Sequence, residues 1–159
     1  MKKLKMISLL LFLWMPISVW ALEYPTLHYD KAILYDLTDD KVLYELKDKE
    51  KAHVASLTKI LTTITAIESI DNLDDMVTYT ENMKSLVRWD ASVAGLSVGD
   101  KVSYRDLLYA SILPSGADAT TALAVSTSGS ISNFVKKMNE EASKIGMRNS
   151  HFVNVTGLD

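Results

Sequence analysis

The sequence predicts a mixed α/β (α+β) fold in which strands come first and helices follow. Two β-prone runs, residues 27–37 and 41–47, are joined by the polar letters TDD and predict a hairpin. Four later segments carry the apolar spacing or the end signals of helices. No linker or repeat divides the 159 residues, a length that suits one domain with its own core.

The first 21 residues have the composition of a secretory signal peptide. Three early lysines precede the apolar run MISLLLFLWMPISVW, and the small residue Ala21 stands at the expected cleavage position. The alternative is an uncleaved anchor helix, which Pro16 and the shortness of the apolar run disfavour. We therefore expect an exported protein whose mature chain begins at residue 22.

Charge and composition exclude several classes of protein. Removal of residues 1–21 takes three of the 17 basic residues and no acids, which leaves 14 basic against 20 acidic residues and a net charge of −6. An acidic chain is poorly suited to a phosphate backbone, so we expect no nucleic-acid partner. The lack of cysteine excludes disulfides and a thiol nucleophile. No two of His28, His53 and His151 have the spacing of metal ligands, and we expect neither a metal nor a cofactor.

The first helix is predicted directly after the hairpin. Residues 56–70 place Ile60, Ile64 and Ile67 at helical spacing, with two leucines beside them, and this predicts a buried helix. Residues 71–100 lack a sustained period, which indicates loops and short elements.

Three more helices complete the predicted order. Ser103 and Asp106 have the pattern of a capping box, and the helix that they open is ended by Pro114. A tight turn and an Ala- and Thr-rich helix follow over residues 114–129. The last helix, over residues 131–145, aligns three apolar side chains and ends at a glycine. These residues are Phe134, Met138, Ile145 and Gly146.

Ser56 and Lys59 form the pattern Ser-x-x-Lys at the start of the first predicted helix. Residues three apart share a helix face, so the lysine nitrogen can reach the serine hydroxyl. The helix dipole favours an oxyanion there, and a desolvated lysine can serve as the base that activates serine. The pattern alone is weak, because 16 serines and 14 lysines give about 1.4 matches by chance. The alternative is that Ser56 caps the helix and Lys59 is solvated.

Ser115 is the second candidate, in the turn LPSGADA between two predicted helices. A serine at such a turn can point into a cleft and pass a proton to a leaving group. The alternative is a serine that caps the following helix.

Three longer stretches surround these serines in a fixed order. They are AILYDLTDDKVLYELKDKEKAHVASLTKILT, LSVGDKVSYRDLLYASILPSGADA and FVKKMNEEASKIGMRNSHFVNVTGLD. Over nearly all of residues 27–159 the chain resembles the serine-type D-Ala-D-Ala carboxypeptidases, the low-molecular-mass penicillin-binding proteins. The resemblance implies the β-lactamase/transpeptidase-like fold, an antiparallel sheet flanked by helices.

The resemblance also implies roles for the candidate residues. Ser56 matches the acylated nucleophile, Lys59 its general base, and Ser115 the residue that relays a proton to the departing D-alanine. The implied reaction removes the terminal D-alanine from peptidoglycan stem peptides ending in D-Ala-D-Ala, through an acyl-enzyme on Ser56. β-Lactams are implied as covalent inhibitors, and the periplasm or the outer face of the cytoplasmic membrane as the location. No cofactor is implied.

Two features depart from the family pattern. Ala117 stands at the substrate-binding position of the family's asparagine, so the amide that orients substrate and lysine is missing; its neighbour Asp118 points in another direction on a helix. The family's Lys-Thr-Gly motif does not occur in the sequence. We therefore expect residues 22–159 to be the N-terminal part of a longer peptidase domain, and membrane association through a later segment stays open.

Other functions stay open as well. The main alternative is a penicillin- or peptidoglycan-binding relative that the loss of the asparagine has impaired. A D-Ala endopeptidase and a serine β-lactamase are less favoured, the latter because no deacylating carboxylate is recognisable after the second motif. The open edge of the hairpin predicts low solubility or marginal folding of residues 22–159 alone.

Overall fold

The computed structural model describes residues 28–158. The predicted signal peptide, residues 1–21, lies outside the described residues. The described residues divide into two compact units, with the boundary between residues 50 and 51. Within the described range, no helix is both long and apolar enough to span a membrane.

The described part of the first unit is the predicted hairpin. Strand β1 (Ala32–Asp36) pairs antiparallel with β2 (Lys41–Leu46), with a shift of register inside β1. In the turn, the Asp36 carboxylate accepts hydrogen bonds from two backbone N–H groups at 2.8 and 3.2 Å. Such local bonds are why aspartate favours turns. Leu34 and Leu43 stay exposed on the hairpin.

The second unit is mainly helical. A 3-10 turn (Ala55–Leu57) leads into α1 (Thr58–Ile67), and β3 (Met76–Thr78), α2 (Glu81–Ser85) and β4 (Lys101–Ser103) follow. The remaining helices are α3 (Tyr104–Ile112), α4 (Ala117–Ser128) and α5 (Ile131–Lys144). β3 and β4 form an antiparallel pair; β3 lies in the region where the sequence predicted only loops and short elements, and β4 directly follows that region.

The predicted start of α3 is confirmed by its capping contacts. The Ser103 hydroxyl accepts a hydrogen bond of 3.1 Å from the Asp106 N–H and donates one of 2.7 Å to the Asp106 carboxylate. The first bond satisfies a backbone donor that the helix itself leaves free, and the second joins the two side chains.

α5 buries most of the face that was predicted for it. Phe134 and Met138 are fully buried, and Ala142 joins them. Ile145 is 54% exposed. Its inclusion in the buried face was wrong, because it lies beyond the last helical residue. Gly146 follows with a φ of 86°, a left-handed conformation that ends the helix as predicted.

α1 buries a different face from the one that its isoleucines predicted. Ile60, Ile64 and Ile67 are 53, 38 and 48% exposed, whereas Lys59 and Leu61 are buried. The prediction that the isoleucine face is buried was wrong for the described residues. The helices packed on α1 approach its smaller side chains, and close approach between helices requires small residues at the contact.

α4 lies at the centre of the second unit. Its first eight residues, 117–124, are all buried, and six of them are alanine or threonine. Such small side chains let α1, α3 and α5 pack closely against α4. This packing fixes the start of α4 relative to the start of α1, where the two candidate serines lie.

Candidate active site

Ser56 lies in the 3-10 turn before α1, and Lys59 lies in the first turn of α1. Lys59 Nζ is 3.1 Å from Ser56 Oγ. Ala55 has a φ of 46°, an unusual left-handed conformation for alanine, immediately before Ser56. Neither the 3-10 turn nor α1 has a side-chain cap, and Lys59 is 3% exposed. The alternative of a capping serine with a solvated lysine therefore does not fit the structure.

The buried ammonium of Lys59 has two protein acceptors within the described residues. Within residues 28–158, its acceptors are Ser56 Oγ and the backbone carbonyl of Thr156, which lies 2.9 Å from Nζ. A lysine ammonium has three N–H donors, so one of them has no acceptor there. Burial disfavours the charged form and lowers the pKa of Lys59. The neutral amine, which can remove a proton from serine, becomes more accessible near neutral pH.

Ser115 reaches Ser56 from the turn between α3 and α4. Ser115 Oγ donates a hydrogen bond of 3.0 Å to Ser56 Oγ. Its φ of 59° lies in the left-handed region, which is uncommon for serine and frequent at functional sites. The residue at the cap position of α4 is Gly116, and the helix has no side-chain cap. The alternative of a capping role for Ser115 is therefore not supported.

The turn that carries Ser115 is fixed from two sides. The Gly116 N–H donates to the Ala110 carbonyl at 3.0 Å, and a Cβ on Gly116 would lie 2.6 Å from the same oxygen. On the other side, Ser92 Oγ donates to the Pro114 carbonyl at 2.9 Å, and the Ser92 carbonyl accepts from the Ala117 N–H at 2.8 Å. Only glycine at position 116 allows the backbone to come this close to the Ala110 carbonyl.

Asp118 is buried in the first turn of α4, and its carboxylate binds a neighbouring loop instead of Lys59. Its carboxylate accepts hydrogen bonds from three consecutive backbone N–H groups of the loop at residues 94–96, at 2.8 to 2.9 Å. A fourth bond comes from the Ala119 N–H at 2.9 Å. Ala117, at the position of the family's asparagine, is 1% exposed and has no polar side-chain atom. Neither residue supplies a side-chain acceptor to Lys59 within the described chain.

The two serines open on a cleft of about 450 Å³. Val54, Ile60 and Ile112 line it together with Ser56 and Ser115. Apolar walls with a few converging polar groups are typical of sites for small ligands. Over residues 28–158, no three His, Cys, Asp or Glu side chains come together as a possible metal site.

The sequence analysis missed the contribution of the segment around Thr156. Its carbonyl contacts Lys59, and the next residue, Gly157, packs on the backbone of Ala55. A Cβ on Gly157 would lie 1.8 Å from the Ala55 carbonyl oxygen, and its φ is 77°. A backbone carbonyl leaves no side-chain signal in a sequence, although the glycine beside it was an available sign of close packing.

Comparisons with known proteins give this arrangement its context. The family model described as D-alanyl-D-alanine carboxypeptidase, Peptidase S11, matches residues 19–159. The chain is 35% identical over 131 residues to the D-alanyl-D-alanine carboxypeptidase DacF of Bacillus subtilis (strain 168), covering 80% of this chain and 33% of that protein. It is 37% identical over 162 residues to the D-alanyl-D-alanine carboxypeptidase DacC of Escherichia coli (strain K12), covering 96% of this chain and 40% of that protein.

Solved structures agree with these matches. The crystal structure of penicillin binding protein 5 from Haemophilus influenzae gives a TM-score of 0.77 at 31% identity, covering 87% of this chain and 42% of that one. The fold predicted from the resemblance is confirmed. The chain spans 33 to 40% of the length of the two curated relatives named above.

Proposed function

Because the chain belongs to the D-alanyl-D-alanine carboxypeptidase family, we propose that the protein containing it is a serine-type carboxypeptidase. Its substrates are peptidoglycan stem peptides that end in D-Ala-D-Ala, and it releases the terminal D-alanine. One observation carries the proposal: Ser56 Oγ lies 3.1 Å from Lys59 Nζ and 3.0 Å from Ser115 Oγ. A nucleophile within hydrogen-bond reach of its base is the arrangement that covalent catalysis requires.

Acylation begins with neutral Lys59. It takes the proton of the Ser56 hydroxyl as Ser56 Oγ bonds to the carbonyl carbon of the penultimate D-alanine. Burial supports this role because it lowers the pKa of Lys59. Negative charge develops on the carbonyl oxygen beside the start of α1, where the Ser56 backbone N–H is the proposed oxyanion donor.

Collapse of the tetrahedral intermediate breaks the C–N bond to the terminal D-alanine. Ser115, whose Oγ is next to Ser56 Oγ, donates its proton to the departing nitrogen, and the proton held by Lys59 restores the Ser115 hydroxyl. Water then hydrolyses the ester, with Lys59 again as the base. The peptide leaves as a free acid, and the Ser56 hydroxyl is regenerated.

Labelling with a penicillin tests the nucleophile. The complete protein that carries this chain is exposed to a labelled penicillin, and tryptic peptides are analysed by mass spectrometry. The label is expected on Ser56, and Ser56→Ala is expected to abolish it. Ser111→Ala is a matched control, since Ser111 lines the same cleft but bonds to Thr63 and Leu108 instead. Label on Ser115, or label retained in Ser56→Ala, contradicts the assignment.

Turnover assays separate this function from its alternatives. Release of D-alanine from a diacetylated tripeptide ending in D-Ala-D-Ala supports the carboxypeptidase. Labelling without release favours an impaired binding relative, and cleavage of cross-linked muropeptides alone favours an endopeptidase. We further propose an exported location, in the periplasm or at the outer face of the cytoplasmic membrane, with membrane association as a separate question for cell fractionation. N-terminal sequencing of the mature protein is expected to begin at Leu22.

A further inference from the structure

We propose that Asn154 is a positioning residue for Lys59, acting through the backbone carbonyl of Thr156. The inference rests on the proposed function, in which Lys59 is the general base. Asn154 does not touch the ammonium itself. It organises the turn at residues 154–158, and that turn presents the carbonyl to Lys59 Nζ at 2.9 Å.

The side chain of Asn154 fixes this turn with both of its polar atoms. Asn154 Oδ1 accepts hydrogen bonds from the N–H groups of Thr156 at 3.0 Å and Gly157 at 2.6 Å. Asn154 Nδ2 donates to the Leu158 carbonyl at 2.9 Å. The amide therefore binds successive peptide groups of one short segment, which is the way asparagine holds a turn.

The bond to Gly157 decides where the Thr156 carbonyl points. The Thr156 carbonyl and the Gly157 N–H belong to the same peptide unit. That unit is planar and trans, so its C=O and N–H point in opposite directions. When Asn154 Oδ1 holds the N–H on one side, the carbonyl is directed to the other side, where Lys59 Nζ lies.

Two further contacts dock the turn on the elements that carry the proposed nucleophile and base. Gly157 lies against Ala55, where any side chain would collide with the Ala55 carbonyl. The hydroxyl of Thr62, one turn along α1 from Lys59, donates to the Val155 carbonyl at 2.9 Å. The carbonyls of Val155 and Thr156 thus accept hydrogen bonds from Thr62 and Lys59, which lie about one turn apart on the buried face of α1.

The directed carbonyl matters because Lys59 must carry a proton during the reaction. A carbonyl that accepts from the ammonium stabilises the charged form and opposes the effect of burial. Ala117 offers no side-chain acceptor, so the Thr156 carbonyl is the backbone group that does this within residues 28–158. Loss of the Asn154 amide frees the peptide to rotate, which leaves Ser56 Oγ as the acceptor of the ammonium within the described residues, and burial then lowers the pKa of Lys59 further.

The contact between the Thr156 carbonyl and Lys59 determines how the acylation rate of an Asn154 variant should change with pH. Lys59 acts when neutral, so the acylation rate rises with pH through the pKa of Lys59. Asn154→Ala is expected to lower this pKa and to move the acid limb of the acylation profile to lower pH. The rate on the plateau is expected to fall about ten- to a hundredfold, because Nζ is no longer held against Ser56.

Asn139→Ala is the matched control. Asn139 holds the chain just before this turn, with bonds to the Phe152 carbonyl at 2.8 Å, the Phe152 N–H at 2.9 Å and the Val135 carbonyl at 2.9 Å. Its amide holds no peptide that contacts Lys59. Asn139→Ala is expected to lower Tm while the acid limb stays where it is in the unchanged protein.

The test combines penicillin acylation across pH with a direct NMR titration of the Lys59 side chain labelled with 13C at Cε. The titration reads the pKa of Lys59 whether or not the protein turns over substrate, so its result is separate from the proposed function. Asn154→Asp serves if the alanine variant does not fold. It keeps the oxygen acceptor and adds a negative charge, so the pKa of Lys59 is expected to rise. An unchanged pKa of Lys59 in the folded Asn154 variants, or the same shift in Asn139→Ala, overturns the proposal.

Discussion

Lys59 and Asp118 are two buried charges with opposite hydrogen bonding. Each is 3% exposed and each lies in the first turn of a helix. The Asp118 carboxylate accepts four backbone N–H bonds. The Lys59 ammonium has two acceptors within residues 28–158, for three donors. The Asp118 carboxylate therefore fixes the loop at residues 94–96, whereas burial makes the neutral form of Lys59 more accessible.

The helix dipole increases this difference. The N-terminal end of a helix is positive, so it stabilises the anion of Asp118 in α4 and disfavours the cation of Lys59 in α1. Equal burial therefore has two outcomes. At Asp118 four backbone N–H groups compensate the charge, and at Lys59 burial lowers the pKa. Compensation by neighbouring dipoles therefore distinguishes the buried carboxylate of Asp118 from the buried amine of Lys59, the proposed base.

Lys59→Met is the strongest test of this comparison. Methionine keeps an apolar stem in the buried position and removes the base, so penicillin acylation of Ser56 is expected to slow by about 10²- to 10⁴-fold. Tm is expected to stay the same or rise, because an incompletely bonded buried charge is lost. Stopped-flow acylation and thermal melts measure the two effects. Near-normal acylation in Lys59→Met means that another group is the base.

Asp118→Asn tests the other half of the comparison. An amide keeps one oxygen acceptor and turns an NH₂ group toward backbone N–H donors, so about two of the four bonds are lost. The free energy of unfolding is expected to fall by about 3 kcal/mol, measured by urea denaturation. Asp100→Asn is the control, because Asp100 is exposed and accepts one backbone bond, from Ser97 at 2.8 Å. Equal losses in the two variants contradict a special role for Asp118.

The side chains of the site could be predicted from the sequence, whereas its backbone could not. Ser56, Lys59 and Ser115 were identified because their residue types and their neighbours carry the information. Their proposed roles stay predictions until labelling is done. Thr156 acts through a carbonyl that any residue possesses, so nothing in its side chain indicated the contact with Lys59. Its position depends on Asn154, which is close in sequence but carries no catalytic signal.

The order of elements could also be predicted, but not every buried face. Capping residues and turn residues act locally, which is why the hairpin and the start of α3 were found. Apolar spacing located α1 but pointed to its isoleucines as the buried side. Packing against the Ala- and Thr-rich α4 depends on side-chain size, which an apolar pattern does not report. The strands β3 and β4 have three residues each, too few for a period to be recognised.

Ala117→Asn sharpens the comparison by giving Lys59 the fuller bonding that Asp118 already has. If the role of the family's asparagine carries over, its amide at this position is expected to give Lys59 a further acceptor and to contact the substrate carbonyl. One such hydrogen bond to a charged or reacting group is worth roughly 1.5 to 3 kcal/mol. We expect kcat/KM for D-alanine release to rise about tenfold on the alkaline plateau.

Ala117→Asn is also expected to raise the pKa of Lys59 and to lower the stability of the protein, and these two effects distinguish the action of the amide from that of its size. An added acceptor stabilises the ammonium and raises the pKa of Lys59, so the acid limb is expected to move to higher pH and the gain to disappear at low pH. Ala117 is 1% exposed, so the larger side chain is expected to cost about 1 to 3 kcal/mol of stability. Ala117→Leu is the control. Leucine has a similar size but no amide, so it is expected to lower stability without raising the plateau activity. Equal or lower plateau activity in Ala117→Asn means that this site is built around alanine, and that the role of the family's asparagine does not carry over to it.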